Sequence, residues 1–393
     1  MKILYHHRTQ GRGAEGVHIM SIVHALEEQG HEVDVATVPG VSFNKNIISA
    51  PLDKSKQKLS GVESILGTIS RRLPGVFFEI IEIAYNLVAY KHLNVLLKKG
   101  NYDLVYERYA FFLLAGALTA RNNRVPFVLE VNEVNGIENR ARKQYLKSIC
   151  GIIEKKVMTS AQRVITVSSY LQKRILDQYG NEITGDVIIA PNAIDLSKIP
   201  KKYKLPRLEE KYKLKSFDIV LGFAGWFDNW DRLDLLVELC VRLNKKGHSV
   251  AILLIGDGVG VAAAKELAES NGVGDKIIFT GAVARNEIYV YLSLIDVAVF
   301  AHSNDFGSPV VMFEFMGLKI PIVAPRLDPI EDVLVNEETA LLFDRLDIEQ
   351  LVQCAERCVV DTKLARKIAE NAYELVKTRH TWAQNASLIT AAL

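Results

Sequence analysis

Twelve short runs rich in β-branched residues alternate with segments of helical periodicity along the chain. The runs at 163–168 and 249–256 are almost continuously apolar, as expected for strands buried on both faces of a parallel sheet. The predicted strands are 2–7, 32–38, 103–108, 126–132, 163–168 and 186–191, then 218–225, 249–256, 276–281, 297–302, 321–325 and 340–343. Six strands and then six more, separated by helices, predict an α/β fold of two doubly wound, Rossmann-like domains.

The predicted boundary between the domains is a polar, lysine-rich stretch that contains Pro200 and Pro206. Its composition is typical of a solvated linker. We therefore predict a first domain over 1–195, a linker over 196–217, a second domain over 218–377 and a C-terminal helix over 378–393.

The charge balance limits the classes of partner. With 48 basic and 46 acidic side chains, the chain lacks the basic footprint of a nucleic-acid-binding protein. No apolar stretch approaches the roughly 20 residues that span a bilayer, and the N-terminus lacks the apolar region of a secretory signal, so we predict a cytoplasmic protein. A basic stretch leaves open either a solvated loop or peripheral contact with the anionic inner face of a membrane; its residues are Lys54, Lys56, Lys58, Arg71 and Arg72.

The cysteines show neither a CxxC pair nor a Cys/His ligand spacing. Cys354 and Cys358 are one helical turn apart, which favours reduced thiols in a core. We predict no metal site.

Two glycine-rich turns directly follow predicted strands, one in each half. Residues 11–16 match GxGxxG after the first strand, and residues 256–260 follow the second strand of the second half. Such glycines let the backbone approach a phosphate closely, so we expect an anionic ligand between the domains, with a tight turn that binds nothing as the alternative. A nicotinamide cofactor fits less well, because Asp34 lies inside the second strand and not at its end.

A third segment carries Gly307-Ser308-Pro309 ahead of a predicted helix that contains Glu314. Proline is common at the start of a helix, and the free amides there can bind hydroxyls or phosphate. Glu314 lies among bulky apolar residues, so it is either paired structurally or accepts hydrogen bonds from a polyol such as a ribose.

Residues 307–324 resemble the donor-site signature of family 4 glycosyltransferases of the GT-B fold. Segments 191–195, 254–258, 278–281 and 379–382 resemble further motifs of that family, in the same order along the chain. The resemblance covers nearly the whole chain. It implies two domains that face each other across a cleft, with the last helix crossing back to the first domain.

The resemblance also implies transfer of a sugar from a nucleotide-diphosphate sugar, usually with retention and without a metal or other cofactor. It places Glu314 on the ribose and the backbone amides of 306–308 on the sugar or diphosphate. The donor-binding residues implied in this way are Gly13, Gly225, Arg232, Gly256, Val283, Phe306, Gly307, Ser308 and Glu314.

The chain departs from the family pattern at charged positions. Phe306 stands where the family has the first of two acidic residues, so the neighbouring Asp305 is the candidate for that carboxylate. An Arg/Lys pair after the first strand of the second domain is reduced to Arg232, and a lysine of a related branch is replaced by Val311. This leaves two possibilities. Other cations complete the diphosphate site, with Arg285, Arg12 and Lys319 as the candidates, or else the donor is unusual or catalysis is lost.

The first domain departs from the pattern as well. Asn132 stands where many relatives have a histidine, and an amide cannot act as a base near neutral pH. His7 and Arg108 are the next candidates in that domain. The predicted catalytic residues are Asn132, Asp305 and Arg108.

We therefore predict a glycosyltransferase that acts on a polysaccharide, glycolipid or small-metabolite acceptor. Three alternatives are left open: a catalytically silent sugar-binding partner subunit, an NAD(P)-dependent oxidoreductase, and a sugar-nucleotide epimerase of the same fold. The acceptor and the oligomeric state are left open too.

Overall fold

A computed structural model describes residues 1–9, 14–37, 75–137, 144–200 and 206–391. Gly13, Arg12 and the basic stretch of Lys54 to Arg72 lie outside the described residues. The described residues form two compact units: one holds the chain up to Ala190 together with 385–391, and the other holds Pro191–Gln384.

The first unit is a six-stranded sheet in the order β2-β1-β3-β4-β5-β6, in which every neighbouring pair is parallel. Its strands are β1 Lys2–His6, β2 Glu32–Ala36, β3 Leu104–Arg108, β4 Phe127–Val131, β5 Arg163–Thr166 and β6 Asp186–Ile189. Its helices are α1 Ala14–Glu28, α2 Gly75–Gly100, α3 Ala115–Asn123, α4 Lys147–Met158 and α5 Ser169–Tyr179.

The second unit is a parallel sheet in the order β12-β11-β10-β7-β8-β9. Its strands are β7 Ile219–Trp226, β8 Val250–Asp257, β9 Ile277–Gly281, β10 Val297–Val299, β11 Ile322–Pro325 and β12 Leu341–Phe343. Its helices are α6 Pro206–Lys211, α7 Leu233–Lys245, α8 Val261–Ser270, α9 Ile288–Leu292, α10 Val310–Gly317, α11 Asp328–Glu331, α12 Ile348–Val360 and α13 Thr362–Arg379. The predicted α/β fold of two doubly wound sheets is confirmed.

The last helix, α14 Trp382–Thr390, begins in the second unit and ends in the first. Its end is fixed by Arg163 of β5, whose Nη1 donates to the carbonyl oxygens of Leu388 and Ala391, each at 2.7 Å. Because those carbonyls have no partner further along the helix, the guanidinium supplies the hydrogen bonds that a helix end lacks.

Local sequence explains where several helices begin and end. Gly30, which follows α1, adopts a φ of 84°, a conformation that favours glycine, and so stops the helix before β2. At α12, the Asp347 side chain accepts from the amide of Gln350 at 3.0 Å and caps the first turn. None of the helices among the described residues is both long and apolar enough to span a membrane.

Candidate donor site

The second sheet reverses its strand order at β7, which lies between β10 and β8. In open α/β sheets, ligands bind outside the carboxyl ends of the strands at such a reversal. The segments that leave β7 (226–232) and β10 (300–309) therefore frame the candidate site, and the sequence-predicted donor residues Arg232, Phe306, Gly307 and Ser308 lie on them.

The turn after β10 is organised by Asn304. Its Oδ1 accepts from the backbone amide of Phe306 at 3.2 Å and from that of Gly307 at 2.5 Å. These are two of the amides that the sequence predicts to bind sugar or diphosphate, and in this structure they bond to Asn304. A ligand oxygen would have to replace the Asn304 oxygen or share those amides with it.

Ser308 fixes the other end of this turn. Its Oγ accepts from the amide of Asn192 at 3.0 Å, and its carbonyl accepts from Asn192 Nδ2 at 2.6 Å. Both residues are buried. The segment that resembles the family's PNGID motif therefore holds the start of α10 in place.

Glu314 lies on α10 and is 2% exposed. Its Oε1 forms an ion pair with Nη2 of Arg285, which also lies over the ring of Tyr289 at 5.7 Å. Burial raises the pKa of Glu314, and the guanidinium of Arg285 opposes that rise. Arg285, predicted as a substitute diphosphate cation, pairs with this carboxylate.

The other candidate cations also have carboxylate partners. Arg232 donates to both carboxylate oxygens of Asp234, from Nε at 2.8 Å and from Nη2 at 2.7 Å. Lys319 bonds to Glu370 at 2.7 Å at the surface. Arg345, which the sequence analysis missed, pairs with Asp305 at 2.8 Å.

His302 connects the two segments that frame the site. Its Nδ1 lies 3.0 Å from the carbonyl oxygen of Trp230, and because a carbonyl only accepts, Nδ1 carries the proton. Nε2 is then an acceptor, and among the described residues it is buried with no hydrogen-bond partner. Burial, assisted by the charge of Arg345, lowers the pKa of His302, so the ring is neutral at physiological pH.

Asp231, between Trp230 and Arg232, is 7% exposed. Its Oδ2 accepts from the amide of Asp228 at 2.8 Å. Burial is the main cause that raises the pKa of Asp231 to about 7. A carboxyl group that titrates near neutrality is common at functional sites, and its partner here is an amide and not a cation.

The predicted residues Gly225 and Gly256 lie opposite each other on β7 and β8. Gly256 has a φ of +139°, and a Cβ there would lie 1.9 Å from the carbonyl oxygen of Gly225. These two glycines thus allow the strand ends to approach closely. Val283 lies just after β9 and packs partly buried against the core.

Candidate site in the first unit

Glu130 of β4 is the centre of a buried polar cluster in the first unit. Five side chains from β1, α1, β3 and the end of β4 direct a polar atom at its carboxylate: Tyr5 Oη at 3.4 Å, His18 Nε2 at 3.0 Å, Tyr106 Oη at 2.5 Å, Asn132 Nδ2 at 2.6 Å, and Arg108 in an ion pair. Burial alone would raise the pKa of Glu130, but His18 and Arg108 outweigh it and hold this pKa well below its usual range.

Two of the predicted catalytic residues, Asn132 and Arg108, are therefore brought together by Glu130. Because Nδ2 of Asn132 donates to Glu130, the amide group of Asn132 is oriented by that carboxylate, and its oxygen is a hydrogen-bond acceptor. The third predicted residue, Asp305, belongs to the second unit. Glu130, His18 and Tyr106 were missed, although a carboxylate inside the apolar run 127–131 was a usable signal.

A second buried pair lies beside this cluster, between His6 Nδ1 and Glu107. Next to it, His7 is fully buried, and burial together with the charges of His6 and Arg108 lowers its pKa to about 4. His7 is therefore neutral at physiological pH. Among the described residues, no group of three or more His, Cys, Asp or Glu side chains is placed to hold a metal ion.

Two family models match this chain. The model for glycosyl transferases group 1 matches residues 206–375, and that for glycosyltransferase family 4 matches residues 15–198. The chain belongs to the family 4, group 1 glycosyltransferases. The two matches fall on the second and first units respectively, so nearly the whole of this family 4 glycosyltransferase is covered.

Among curated proteins, the family 4 glycosyltransferase is 24% identical to the capsular polysaccharide biosynthesis glycosyltransferase CapM of Staphylococcus aureus, over 68% of this chain and 70% of CapM. It is 21% identical to the GDP-mannose-dependent alpha-(1-6)-phosphatidylinositol monomannoside mannosyltransferase of Mycobacterium tuberculosis, over 56% of this chain and 58% of that protein. The chain therefore spans less than two thirds of the second relative.

Among solved structures, Anabaena HepE in complex with UDP and glucose aligns with a TM-score of 0.71 at 16% identity, covering 100% of both chains. A glycosyltransferase from Rickettsia africae aligns with a TM-score of 0.74 at 16% identity, covering 100% of this chain and 99% of its own. The family 4 glycosyltransferase thus has the GT-B fold.

Proposed function

We propose that this family 4 glycosyltransferase transfers a sugar from a nucleotide-diphosphate sugar, with retention and without a bound metal, to a polysaccharide, glycolipid or small-metabolite acceptor. Glycosyltransferase activity with a nucleotide-sugar donor is supported by both family matches. The names of the two curated relatives support a polysaccharide or a glycolipid acceptor. Neither a silent partner subunit nor an oxidoreductase is favoured by any relative.

The observation that carries the donor assignment is the buried carboxylate of Glu314 at the strand-order reversal. A ribose presents two neighbouring hydroxyl donors, and a carboxylate with a single cationic partner has acceptor capacity left for both. The neutral Nε2 of His302, on the segment that leaves β10, is a further acceptor in the second unit.

The chemistry requires charge stabilisation more than it requires a strong base. When the bond between the anomeric carbon and the phosphate oxygen breaks, negative charge builds up on the departing diphosphate. Arg232, Arg345 and the amides at the start of α10 are the groups of the second unit available to stabilise it. The exposed ion pairs of both arginines are weak, so a diphosphate can replace their carboxylate partners at small cost.

A binding panel tests the proposal. Thermal stability of the full chain is measured with UDP, GDP, ADP, CMP, their sugar conjugates, NAD and NADP, each with and without EDTA. A ligand present at about 100 times its Kd adds about 2.7 kcal/mol of stability. We expect one nucleoside diphosphate and its sugar conjugate to stabilise the protein in both conditions. Stabilisation by NAD alone would contradict the donor assignment, and loss of the effect with EDTA would contradict metal independence.

Replacing Glu314 by glutamine is expected to weaken binding of that nucleotide sugar about ten-fold, because a hydrogen bond to a charged acceptor contributes about 1.5–3 kcal/mol. Isothermal titration calorimetry measures the change. Glu331→Gln is the matched control, since Glu331 pairs with Arg326 at the surface of the same unit. Equal affinities for Glu314→Gln and the control would remove Glu314 from the donor site.

Replacing Arg345 by alanine is expected to weaken binding of the nucleoside diphosphate by about five- to ten-fold, because one charge-assisted contact is lost. Binding of the unphosphorylated nucleoside should stay unchanged. Arg357→Ala, which removes a comparable exposed pair with Glu337, serves as the control. A loss of affinity shared by nucleoside and diphosphate would show that Arg345 does not contact the phosphates.

Retention is tested by the slow hydrolysis of the donor without an acceptor. Proton NMR identifies the anomer of the free sugar that forms first. An anomer of the same configuration as the donor is the expected result, and the opposite anomer would establish inversion.

A further inference from the structure

Two neighbouring helices of the first unit expose a large share of the apolar surface. Of the seventeen large apolar side chains that are exposed in the described part of the chain, nine lie on α2, on α4 or directly before α4. They are Phe77, Ile80, Ile81, Leu87, Val88, Val95, Tyr145, Ile149 and Ile152. Leu87 is 71% exposed and Ile152 is 70% exposed, so these are side chains in full contact with solvent. We call this set the apolar face.

The exposed apolar residues of α2 share one side of the helix. Phe77, Ile81, Val88 and Val95 are spaced by four, seven and seven residues, which places them on one side of the helix. Ile80 and Leu87 flank that line. The stripe runs for about 27 Å along the helix at 1.5 Å per residue.

The two helices are fixed against each other at their N-terminal ends. The carboxylate of Glu79, on α2, accepts from the amide of Tyr145 at 2.9 Å and from that of Leu146 at 2.6 Å. Since Leu146 directly precedes α4, these hydrogen bonds join the starts of the two helices.

The charges on this surface are sorted by sign. The acidic residues of both helices point inward: Glu79 and Glu154 are buried, and Glu82 pairs with Arg8. The exposed charged residues of α2 and α4 are all lysines: Lys91, Lys98, Lys99, Lys147, Lys155 and Lys156. Lys155 bonds to Glu182, and the other five lysines form no ion pair with a carboxylate of the described residues.

We propose that the apolar face and its lysines dock on an anionic lipid bilayer. A helix that lies at a membrane surface inserts an apolar side and surrounds it with basic residues that reach the lipid phosphates. The sign of the exposed charges selects an anionic surface over a neutral one. The proposal does not depend on the donor chemistry, because no residue of the second unit takes part in it.

Vesicle flotation with the full chain tests this docking. The vesicles contain phosphatidylcholine alone, or phosphatidylcholine and phosphatidylglycerol in equal parts. We expect the protein to float with the second kind only, and to be released by added salt, which screens the lysine contacts. No flotation with phosphatidylglycerol vesicles, or equal flotation with both kinds, would overturn the proposal.

Two variants separate the apolar and the basic contributions. Leu87→Ser and Lys98→Glu are each expected to reduce the floated fraction about five-fold, since each removes one of the two kinds of contact. Val360→Ser is the control, because Val360 is 66% exposed on α12 of the other unit. An equal loss in the control would overturn the assignment of the surface. Analytical sedimentation of the same variants tests a second copy of the chain as the alternative occupant. If the protein does not bind vesicles but forms an oligomer that Leu87→Ser dissociates, the apolar face is a contact between two copies.

Discussion

Replacing Glu130 by alanine is expected to lower the free energy of unfolding of the first unit by about 3–5 kcal/mol, because removing one partner of a buried ion pair leaves the other charge buried and uncompensated. In this variant Arg108 and His18 lose their common carboxylate, and Tyr106 loses the acceptor of its hydroxyl. Glu130→Gln keeps the shape and one acceptor oxygen, so its expected loss is smaller.

The distribution of tryptophans lets one experiment assign this loss to the first unit. Trp226, Trp230 and Trp382 all belong to the second unit. Urea unfolding is therefore followed both by tryptophan fluorescence and by far-ultraviolet circular dichroism. We expect Glu130→Ala to lower the urea midpoint in the dichroism more than the fluorescence midpoint, of which only the part due to Trp382, on α14, depends on a helix that ends in the first unit. A fluorescence midpoint lowered as much as the dichroism midpoint would contradict a local role.

The pH dependence of the same variant has a defined sign. The folded pKa of Glu130 lies below its unfolded value, so its contribution to stability is fully present above the unfolded pKa of about 4.3 and is lost as the pH falls toward the folded pKa. The stability difference between the native chain and Glu130→Ala should therefore be constant near neutrality and shrink below about pH 4. A difference that grows on acidification would contradict the depressed pKa.

Replacing Gly256 by alanine is expected to lower the free energy of unfolding of the second unit through two effects. The backbone conformation contributes about 1–3 kcal/mol, and steric overlap of the new methyl group contributes a similar amount. The φ of +139° is one that essentially only glycine adopts, and the added Cβ would lie 1.9 Å from the carbonyl oxygen of Gly225. Backbone atoms of a paired strand cannot move aside as a flexible side chain can.

Gly272→Ala is the matched control for Gly256→Ala. Gly272 also has a positive φ, of +69°, but a Cβ there meets nothing within 4 Å. Gly272→Ala should therefore lose stability only through its positive φ and not through steric overlap. Both variants are followed by tryptophan fluorescence during urea unfolding. Equal losses in the two variants would show that the strand ends separate to accept the methyl group.

The strands could be predicted because their sequence signal is local. A parallel strand buried on both faces is a run of apolar residues, and this is why runs such as 249–256 coincide with β8 within one residue at each end. Glu314 was singled out for a similar reason, since a carboxylate in an apolar helix requires a partner.

The partners themselves could not be predicted from the sequence. Arg345 reaches Asp305 over forty residues, and Arg285 reaches Glu314 from the segment after β9, a strand that β7 and β8 separate from β10. Such pairs depend on how loops are placed by the sheet order, and no periodicity in the sequence encodes that. His302 was overlooked because its tautomer is fixed by a single contact, the backbone carbonyl of Trp230. That carbonyl lies on the segment after another strand, β7.

The pairing of Arg232 with Asp234 and of Arg345 with Asp305 has a consequence for turnover. In the proposed donor site, each carboxylate competes with the diphosphate for its arginine, because the fold holds the two side chains within ion-pair distance of each other. Under the proposed function, Asp234 and Asp305 would pair with Arg232 and Arg345 again after sugar transfer, and this would favour release of the nucleoside diphosphate.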